Sequence, residues 1–209
     1  MKVLVLGASG RLGRRIVAEA CAHGWTVRAQ TRDAARIAPA EGVEVMVADP
    51  TDAPRMAEIV AGCDAVVFAL GVDRIGPTTL FSDATRGVIA AMARHGVRRL
   101  VAVTGVGAGE TRGHGGWFYD RVIFPLFTRR RYADKERQEA LIRASGLDWV
   151  IVRPAPFAAK PGDAPLETHV AVSPDLRLTA ITLDEAARFT VEQVASDAFL
   201  GQAVFVGRR

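Results

Sequence analysis

An apolar tetrapeptide runs directly into a glycine-rich turn in the sequence Val3-Leu4-Val5-Leu6-Gly7-Ala8-Ser9-Gly10-Arg11-Leu12-Gly13. After the turn, apolar residues recur at the spacing of an amphipathic helix, which is expected to end at His23-Gly24. A second strand is predicted at residues 25–30. This order of strand, turn, helix and strand indicates a phosphate-binding turn, because the free N–H groups at the start of a helix face an anion.

Each glycine of this turn has its own predicted role. Gly7 allows the tight turn, Gly10 lets backbone approach a pyrophosphate, and Gly13 lets the helix pack close to the strand. The spacing is Gly-x-x-Gly-x-x-Gly, whereas the standard dinucleotide fingerprint is Gly-x-Gly-x-x-Gly. A glycine turn alone is weak evidence and could serve the fold only, but the strand and helix around it favour dinucleotide binding.

The end of the second strand indicates which dinucleotide is preferred. NAD sites place Asp or Glu here to accept from the ribose 2′-OH, but no acid precedes Asp33 in this segment. Arg32 offers a planar cation to a 2′-phosphate, and Thr31 or Ser9 can add a hydroxyl donor. We therefore expect NADP(H), with NAD(H) as the less favoured cofactor. The alternative is that Arg32 is a solvated loop residue that pairs with Asp33.

Composition is typical of a soluble globular protein, with 49% hydrophobic and 24% charged residues in a chain of 209. We expect a single domain over residues 1–209. The net charge of +4 comes from scattered arginines without a nucleic-acid motif, so no nucleic-acid partner is expected. Cys21 and Cys63 lack metal-ligand spacing and are expected to be buried free thiols. No run reaches the roughly 18 apolar residues of a membrane span, and no leader is evident, which favours a cytoplasmic protein without stable membrane insertion.

Predicted strands and helices alternate along the rest of the chain. This alternation predicts an α/β fold with a doubly wound, Rossmann-like parallel sheet and helices on both faces. Arg153-Pro154 is expected to stop the strand before it. Further strands are expected at residues 43–47, 65–69, 100–103, 149–152 and 203–206, and helices at residues 54–60, 80–94, 135–144 and 183–194.

Ligands of a doubly wound sheet bind beyond the carboxyl ends of its strands, so the residues just after each strand are candidate cofactor contacts. Asp49 could accept from an adenine amino group, or it could be a turn residue that caps the bend at Pro50-Thr51. Small Ala69 and Gly71 would let backbone approach the adenosine ribose and pyrophosphate. The predicted cofactor-binding set is Gly7, Ser9, Gly10, Arg11, Leu12, Gly13, Thr31, Arg32, Asp49, Ala69, Leu70, Gly71, Thr104, Lys135, Pro154 and Ala155.

These motifs resemble the atypical short-chain dehydrogenase/reductases with an NAD(P)H-binding domain, the group that includes biliverdin reductase B-like and NmrA-like proteins. The resemblance covers nearly the whole chain. It implies a Rossmann-like fold and a reduced nicotinamide cofactor, and it implies a substrate much less. It rests on Gly7-x-x-Gly10-x-x-Gly13, Thr31-Arg32-Asp33, Val101-Ala102-Val103-Thr104 and the run from Lys135 to Pro154, in which Ser145-Gly146-Leu147-Asp148-Trp149 precedes an Arg-Pro strand end.

Candidate catalytic residues follow from the comparison with ordinary short-chain dehydrogenases, which use a Ser, a Tyr and a Lys four residues after the Tyr. Here Tyr132 and Lys135 are three residues apart, and Thr104 stands in place of the Ser. Lys135 is expected to contact the cofactor ribose, or else to be a surface lysine that pairs with Glu139. Tyr132 is a candidate proton donor, with a packing role at a helix start as the alternative.

The substrate side is expected to comprise residues of about 105–131 and 154–182. Aromatic residues concentrate at 117–127 and could form the wall of an apolar pocket, a subunit interface in a homodimer, or a shallow membrane contact. Tyr119 is a second candidate donor, His114 is expected to be a solvated loop residue, and Phe157 could stack near the reactive ring.

Two functions are compatible with these features. The first is an NADPH-dependent oxidoreductase that transfers hydride to a small apolar carbonyl, quinone or flavin-like acceptor. The second is a non-catalytic NAD(P)H sensor of the NmrA-like type. Tyr132 and Lys135 favour the enzyme, whereas their spacing counts against it.

Overall fold

The computed structural model describes residues 1–71, 78–105, 129–171, 173 and 176–209, with residues 129–132 described as part of a helix. Eight strands form the main sheet of this part of the chain, in the order β3-β2-β1-β4-β5-β6-β10-β8, and a separate pair joins β7 to β9. The strands are β1 Lys2–Leu6, β2 Thr26–Thr31, β3 Val43–Val47, β4 Ala65–Phe68, β5 Arg99–Val103, β6 Asp148–Pro154, β7 Phe157–Ala158, β8 Glu167–His169, β9 Ile181–Thr182 and β10 Gln202–Gly207.

Helices cover both faces of the main sheet. α1 packs against α5, whereas α2, α3 and α4 pack side by side. Five α-helices are described: α1 Arg11–Ala22, α2 Ala53–Val60, α3 Leu80–His95, α4 Arg129–Arg143 and α5 Leu183–Ala195, with a short 3₁₀ helix at Ala34–Arg36. None of the described helices is long and apolar enough to cross a membrane.

The alternating faces of β1 explain why this arrangement is stable. Val3 and Val5 belong to one buried cluster, which includes side chains of α1 and α5. Leu4 and Leu6 belong to a second cluster, which includes side chains of α2 and α3. A strand that is apolar on both faces must lie between two layers of helices, so the unbroken run 3–6 indicates a central strand.

The expected doubly wound parallel sheet is confirmed, with two corrections in the half that contains β6, β10 and β8. β6 does not stop before Arg153: it continues through Pro154, which pairs with Val206 of β10. Proline is tolerated there because it is the last residue of the strand. The edge strand β8 is antiparallel to β10, and neither it nor the short strands β7 and β9 were predicted.

Two further expectations need correction. α4 begins at Arg129, six residues before the predicted start at Lys135. Both cysteines are free thiols, but only Cys63 is buried, because Cys21 is partly exposed. The local pattern identified the helix α4 but not the residue at which it begins. Likewise, the apolar surroundings of Cys21 in the sequence did not show how deeply its side chain is buried.

Candidate functional site

The glycine turn adopts the geometry that a phosphate-binding loop requires. Gly7 has a φ of +77°, and a Cβ there would lie 2.8 Å from Ala69 O. The Gly10 N–H donates to Gly7 O at 2.9 Å, and α1 begins at the next residue without a side-chain cap or an acidic residue in its first turn. The N–H groups at this helix start therefore remain available for an anion.

The buried side chain of Gln30 holds this turn in place. Its Oε1 accepts from Gly7 N at 2.9 Å, and its Nε2 donates to Ala48 O at 2.7 Å. The amide thus links the end of β1 to the end of β3. This residue was not predicted as part of the site, although an amide in an otherwise apolar strand needs partners when it is buried and could have been noticed for that reason.

Asp33 does not pair with Arg32, so the ion pair of the alternative interpretation is wrong, although Arg32 is exposed as that interpretation expected. The Asp33 carboxylate accepts from Ala35 N at 3.0 Å and caps the 3₁₀ helix. Arg32 and Arg36 are exposed at the cavity wall, and neither forms an ion pair with another described residue. Beside them, Thr31 Oγ1 lies 2.9 Å from Ser9 Oγ. Two cations and two hydroxyl groups therefore surround the end of β2.

Asp49 caps a turn and also lines the cavity, so its predicted turn role is confirmed and its predicted contact with an adenine amino group stays a prediction. One carboxylate oxygen accepts from Thr51 Oγ1 at 2.6 Å and from Thr51 N at 2.8 Å. These hydrogen bonds hold the pKa of Asp49 below its ordinary value. The carboxylate is therefore ionised at neutral pH and can act only as an acceptor.

A cavity of about 570 Å³ lies beyond the carboxyl ends of the strands. It brings together every predicted cofactor contact except Gly13, which packs α1 against the turn. The lining residues that were not predicted as cofactor contacts are Gln30, Arg36, Pro50, Leu80, Phe81, Val103, Gly105, Pro156, Phe157 and Leu183.

Lys135 lies in the wall of this cavity beside the end of β5, which β4 separates from the glycine turn after β1. Its Nζ donates to Val103 O at 3.3 Å and lies 4.3 Å from the centroid of the Phe81 ring. Burial of the ammonium lowers the pKa of Lys135 to about 8, against the opposing attraction of Glu139 and Asp134. The alternative of a surface lysine paired with Glu139 is wrong, because these two described residues form no ion pair.

The Glu139 carboxylate is instead buried in a network at the ends of β5 and β6. Its oxygens accept from Arg153 Nη2 at 2.6 Å, from Arg143 Nη1 at 3.1 Å and from Thr104 Oγ1 at 2.7 Å. Burial alone would raise the pKa of Glu139, but Arg153, Thr104 and Arg143 hold it below its ordinary value. The Thr104 hydroxyl proton is therefore directed to Glu139.

Asp134 fixes α4 against the start of α3. Its carboxylate is fully buried and accepts from Phe81 N at 2.8 Å, from Ser82 Oγ at 2.6 Å and from Arg137 Nη2 at 3.1 Å. It satisfies N–H groups in the first turn of α3, which has no side-chain cap of its own. This contact sets the position of Lys135 relative to the Phe81 ring.

Comparison with known families agrees with this geometry. A family model described as NAD(P)H-binding matches residues 7–197. The chain belongs to this NAD(P)H-binding family.

Relatives of this NAD(P)H-binding protein cover most of its length. The uncharacterized sugar epimerase YhfK of Bacillus subtilis is 28% identical over 202 residues, which are 91% of this chain and 86% of that protein. Among solved structures, the oxidoreductase ylbE of Lactococcus lactis has a TM-score of 0.82 at 17% identity, with 100% of this chain and 91% of that chain covered. A short-chain dehydrogenase/reductase of Veillonella parvula, solved in complex with NADP, has a TM-score of 0.79 at 16% identity, with 99% and 94% covered. These structural likenesses confirm the Rossmann-like fold.

The residues of this NAD(P)H-binding protein fit a dinucleotide. A Cβ at Gly13 would lie 2.1 Å from Gly7 O, so only glycine permits the close approach of α1 to the turn. The uncapped helix start offers N–H groups to a pyrophosphate, and the cavity of about 570 Å³ extends from the end of β2 to the end of β6, where the two nucleosides would lie. Gly7 and Gly10 would contact the pyrophosphate, and Arg32 would contact the ribose at the end of β2.

Several predicted residues lie outside the described part of the chain. The aromatic run 117–127, Tyr119 and His114 are among them. Tyr132 lies in α4, but its side chain is also outside the described residues. Phe157 is described, is 45% exposed and contributes to the cavity wall. The proton-donor role of Tyr132 therefore stays a prediction.

Proposed function

We propose that this protein is an NADPH-dependent oxidoreductase that transfers hydride to an apolar carbonyl, quinone or flavin-like acceptor. The observation that carries the proposal is a cavity that has two arginines without an ion-pair partner among the described residues at the end of β2 and Lys135 at the end of β5. The first feature suits a phosphorylated ribose, and the second suits the reactive half of the cofactor.

The β2 end supports NADPH over NADH. The guanidinium groups of Arg32 and Arg36 can donate to a 2′-phosphate in a planar, bidentate way. Asp33 is engaged in capping the 3₁₀ helix, so no carboxylate from the end of β2 competes for the ribose hydroxyl groups. A 2′-phosphate would therefore meet net positive charge.

The opposite end supports an apolar acceptor. Reduced nicotinamide, when bound, supplies a hydride. Apolar side chains from α3, α5 and the segment after β6 line this end and would exclude water from the acceptor. The lining residues that provide this apolar surface are Leu80, Phe81, Pro156, Phe157 and Leu183.

One observation favours the second candidate function, a non-catalytic NAD(P)H sensor. The Thr104 hydroxyl, which stands where the catalytic Ser of ordinary short-chain dehydrogenases would be, gives its proton to Glu139. A site without a free hydroxyl donor could bind the cofactor without reducing a substrate.

The test combines cofactor affinity and turnover on the same samples. Binding of NADPH and NADH is measured for wild type and for Arg32→Ala, with Arg14→Ala, an exposed residue of α1, as the matched control. Loss of charge-assisted hydrogen bonds worth roughly 1.5–3 kcal/mol should weaken NADPH binding about 10- to 150-fold and leave NADH binding nearly unchanged. Equal losses for both nucleotides would refute the 2′-phosphate assignment.

Turnover separates the two functions. Consumption of NADPH is followed with quinones, flavins and hydrophobic aldehydes. Reduction of one of these classes supports the reductase, whereas tight NADPH binding without turnover of any acceptor supports the sensor.

A further inference from the structure

An aldehyde that receives hydride, unlike a quinone, needs a proton donor from the protein, and that donor must lie beside the acceptor at the β5 and β6 ends of the cavity. In the described part of this wall, two side chains carry exchangeable protons, Thr104 and Lys135. The other described residues that line this end have apolar side chains or are glycine. Among the described side chains, the choice of donor therefore lies between these two groups, while the predicted donors Tyr132 and Tyr119 lie outside the described side chains.

Thr104 is a poor donor because its proton is already committed. Its Oγ1 donates to Glu139 Oε1 at 2.7 Å, and Arg153 holds that carboxylate in its ionised form. An ionised carboxylate accepts hydrogen bonds and cannot replace the lost proton. Thr104 thus keeps only lone pairs for a ligand.

Lys135 has protons to spare. An ammonium carries three N–H bonds, and Val103 O takes one of them. The Phe81 ring faces the same nitrogen at 4.3 Å and favours the cation without consuming a proton through a conventional hydrogen bond. An N–H bond therefore remains for a ligand in the cavity.

We infer that Lys135 donates the proton to the acceptor oxygen, which gives it a catalytic role beyond that of a ribose contact. The inference rests on the proposed reductase function. The acceptor carbon receives the hydride, the C=O π electrons move to oxygen, and an O–H bond forms as the Nζ–H bond breaks. Nicotinamide is the two-electron reductant, and the neutral amine regains its proton from water.

The surroundings suit this exchange of a proton. Burial weakens the ammonium form and sets the pKa of Lys135 near 8, so that the group is protonated at neutral pH but gives up its proton readily. The charged groups that act on it from the described residues are the carboxylates of Glu139 and Asp134 on α4, which favour the cation. Arg153 of β6 and Arg137 of α4 pair with these carboxylates and reduce their effect, while β5 contributes a carbonyl and α3 an aromatic ring.

The kinetic test compares Lys135→Arg with Tyr132→Phe. Arginine keeps the positive charge but does not release a proton. The NADPH affinity of Lys135→Arg is measured in parallel, so that a change in the ribose contact is separated from a loss of proton transfer. Lys135→Arg should reduce a hydrophobic aldehyde about 10²- to 10⁴-fold more slowly, the usual contribution of a general acid. A quinone, whose reduction can take its proton from solvent, should be affected less. Arg14→Ala, an exposed position of α1, is the control that should match wild type with both acceptors, whereas a loss of aldehyde reduction in Tyr132→Phe as large as that of Lys135→Arg would assign the proton to Tyr132.

The pH dependence provides a second readout. For wild type at saturating NADPH, kcat/KM for the aldehyde should fall as the pH rises through about 8. Tyr132→Phe should keep this alkaline limb, and Lys135→Arg should lose it. Unimpaired aldehyde reduction by Lys135→Arg, or its loss in Tyr132→Phe, would overturn the inference.

A third readout requires no cofactor. Competitive labelling of the free protein with acetic anhydride, followed by mass spectrometry, measures amine reactivity against added Nα-acetyl-lysine. Lys135 should reach half of its maximal reactivity near pH 8, and a midpoint at or above that of the standard would refute the assigned acidity. A wild-type protein that binds NADPH but reduces neither acceptor overturns the proposed function and this inference together, whereas normal turnover by Lys135→Arg overturns the inference alone.

Discussion

Substitution of Gly13 by alanine tests whether the approach of α1 to the glycine turn is as close as the structure indicates. Inside a helix, this change normally stabilises a protein by about 1 kcal/mol, because alanine has the higher helix propensity. Here the new Cβ would lie 2.1 Å from Gly7 O and 2.9 Å from Ala8 Cα. Both neighbours are backbone atoms, so no side-chain rotation can relieve the contact.

The expected magnitude follows from these distances. A contact more than about 1 Å too short forces α1 away from β1, and overpacking of this kind costs about 1–3 kcal/mol, or more where backbone is involved. Because the 2.1 Å contact is with backbone, the cost should lie at the upper end of this range, about 3 kcal/mol, and after the gain in helix propensity the net loss in the free energy of unfolding should be about 2 kcal/mol. For a chain of 209 residues, this corresponds to a fall of roughly 4–8 °C in Tm.

Gly10→Ala is the matched control within the same turn. Its Cβ would meet only Gly7 O, at 3.1 Å, and its φ of −73° and ψ of 168° are accessible to alanine. Stability should change by less than about 1 kcal/mol, but a methyl group would now stand at a residue that lines the cavity. NADPH affinity should therefore fall about tenfold or more in Gly10→Ala.

Thermal unfolding and NADPH titration of both variants provide the assay. A Gly13→Ala protein that melts at or above the wild-type temperature would refute the close packing of α1 on the turn. A Gly10→Ala protein with unchanged NADPH affinity would show that the pyrophosphate does not approach this glycine.

Two other predictions concern stability as a function of pH. Hydrogen bonds from Arg208, and to a smaller extent from Thr182, lower the pKa of Glu185 to about 2. Glu185→Gln should therefore lose on the order of 2 kcal/mol of stability at pH 7. Because the folded pKa is depressed, this contribution exists above the ordinary value of 4.5 and disappears as the pH falls toward 2; urea unfolding that shows the same deficit at pH 2.5 would contradict it. Lys135→Met should raise the free energy of unfolding on the order of 1 kcal/mol at pH 7. Desolvation lowers the pKa of Lys135 to about 8, so the charged form is costly to hold in the fold, and partial exposure of the residue keeps this cost small. Between pH 8 and 10.5 the unfolded chain binds more protons than the folded one, so the stability of wild type should rise toward that of Lys135→Met through this interval. A stability difference between the two proteins that stays constant with pH would refute the lowered pKa of Lys135.

Much of the fold could be predicted because its signals are local. The strand at Val43–Val47 has the predicted bounds, and α5 starts at the predicted Leu183, where Thr182 and Glu185 form a capping box. Period-2 and period-3.6 patterns depend only on residues within one element, so they are visible in the sequence. The antiparallel strand β8 has three residues and no such pattern, and it was missed.

The candidate site was predictable where it follows from topology. Residues after parallel strands must meet at one edge of the sheet, and the cavity contains nearly all of those predicted. Gln30 and Asp134 were missed because their partners, Gly7 and Phe81, are 23 and 53 residues away in sequence. The alternative in which Lys135 pairs with Glu139 was wrong for a related reason: spacing on a helix identifies which side chains can meet, but a stronger partner on another element competes for them.

Local apolar periodicity and glycine spacing determine the alternation of strands and helices along the chain and the phosphate-binding turn. They also determine which edge of the sheet takes a ligand. Both patterns are properties of short segments. The destination of individual protons and charges is not such a property. Glu139 accepts from Thr104, 35 residues earlier, and from Arg153, 14 residues later, because folding brings β5, β6 and α4 together in a buried place where an ionised carboxylate must find partners. Only that packing leaves Thr104 without a free proton and places Lys135 beside Val103 and Phe81.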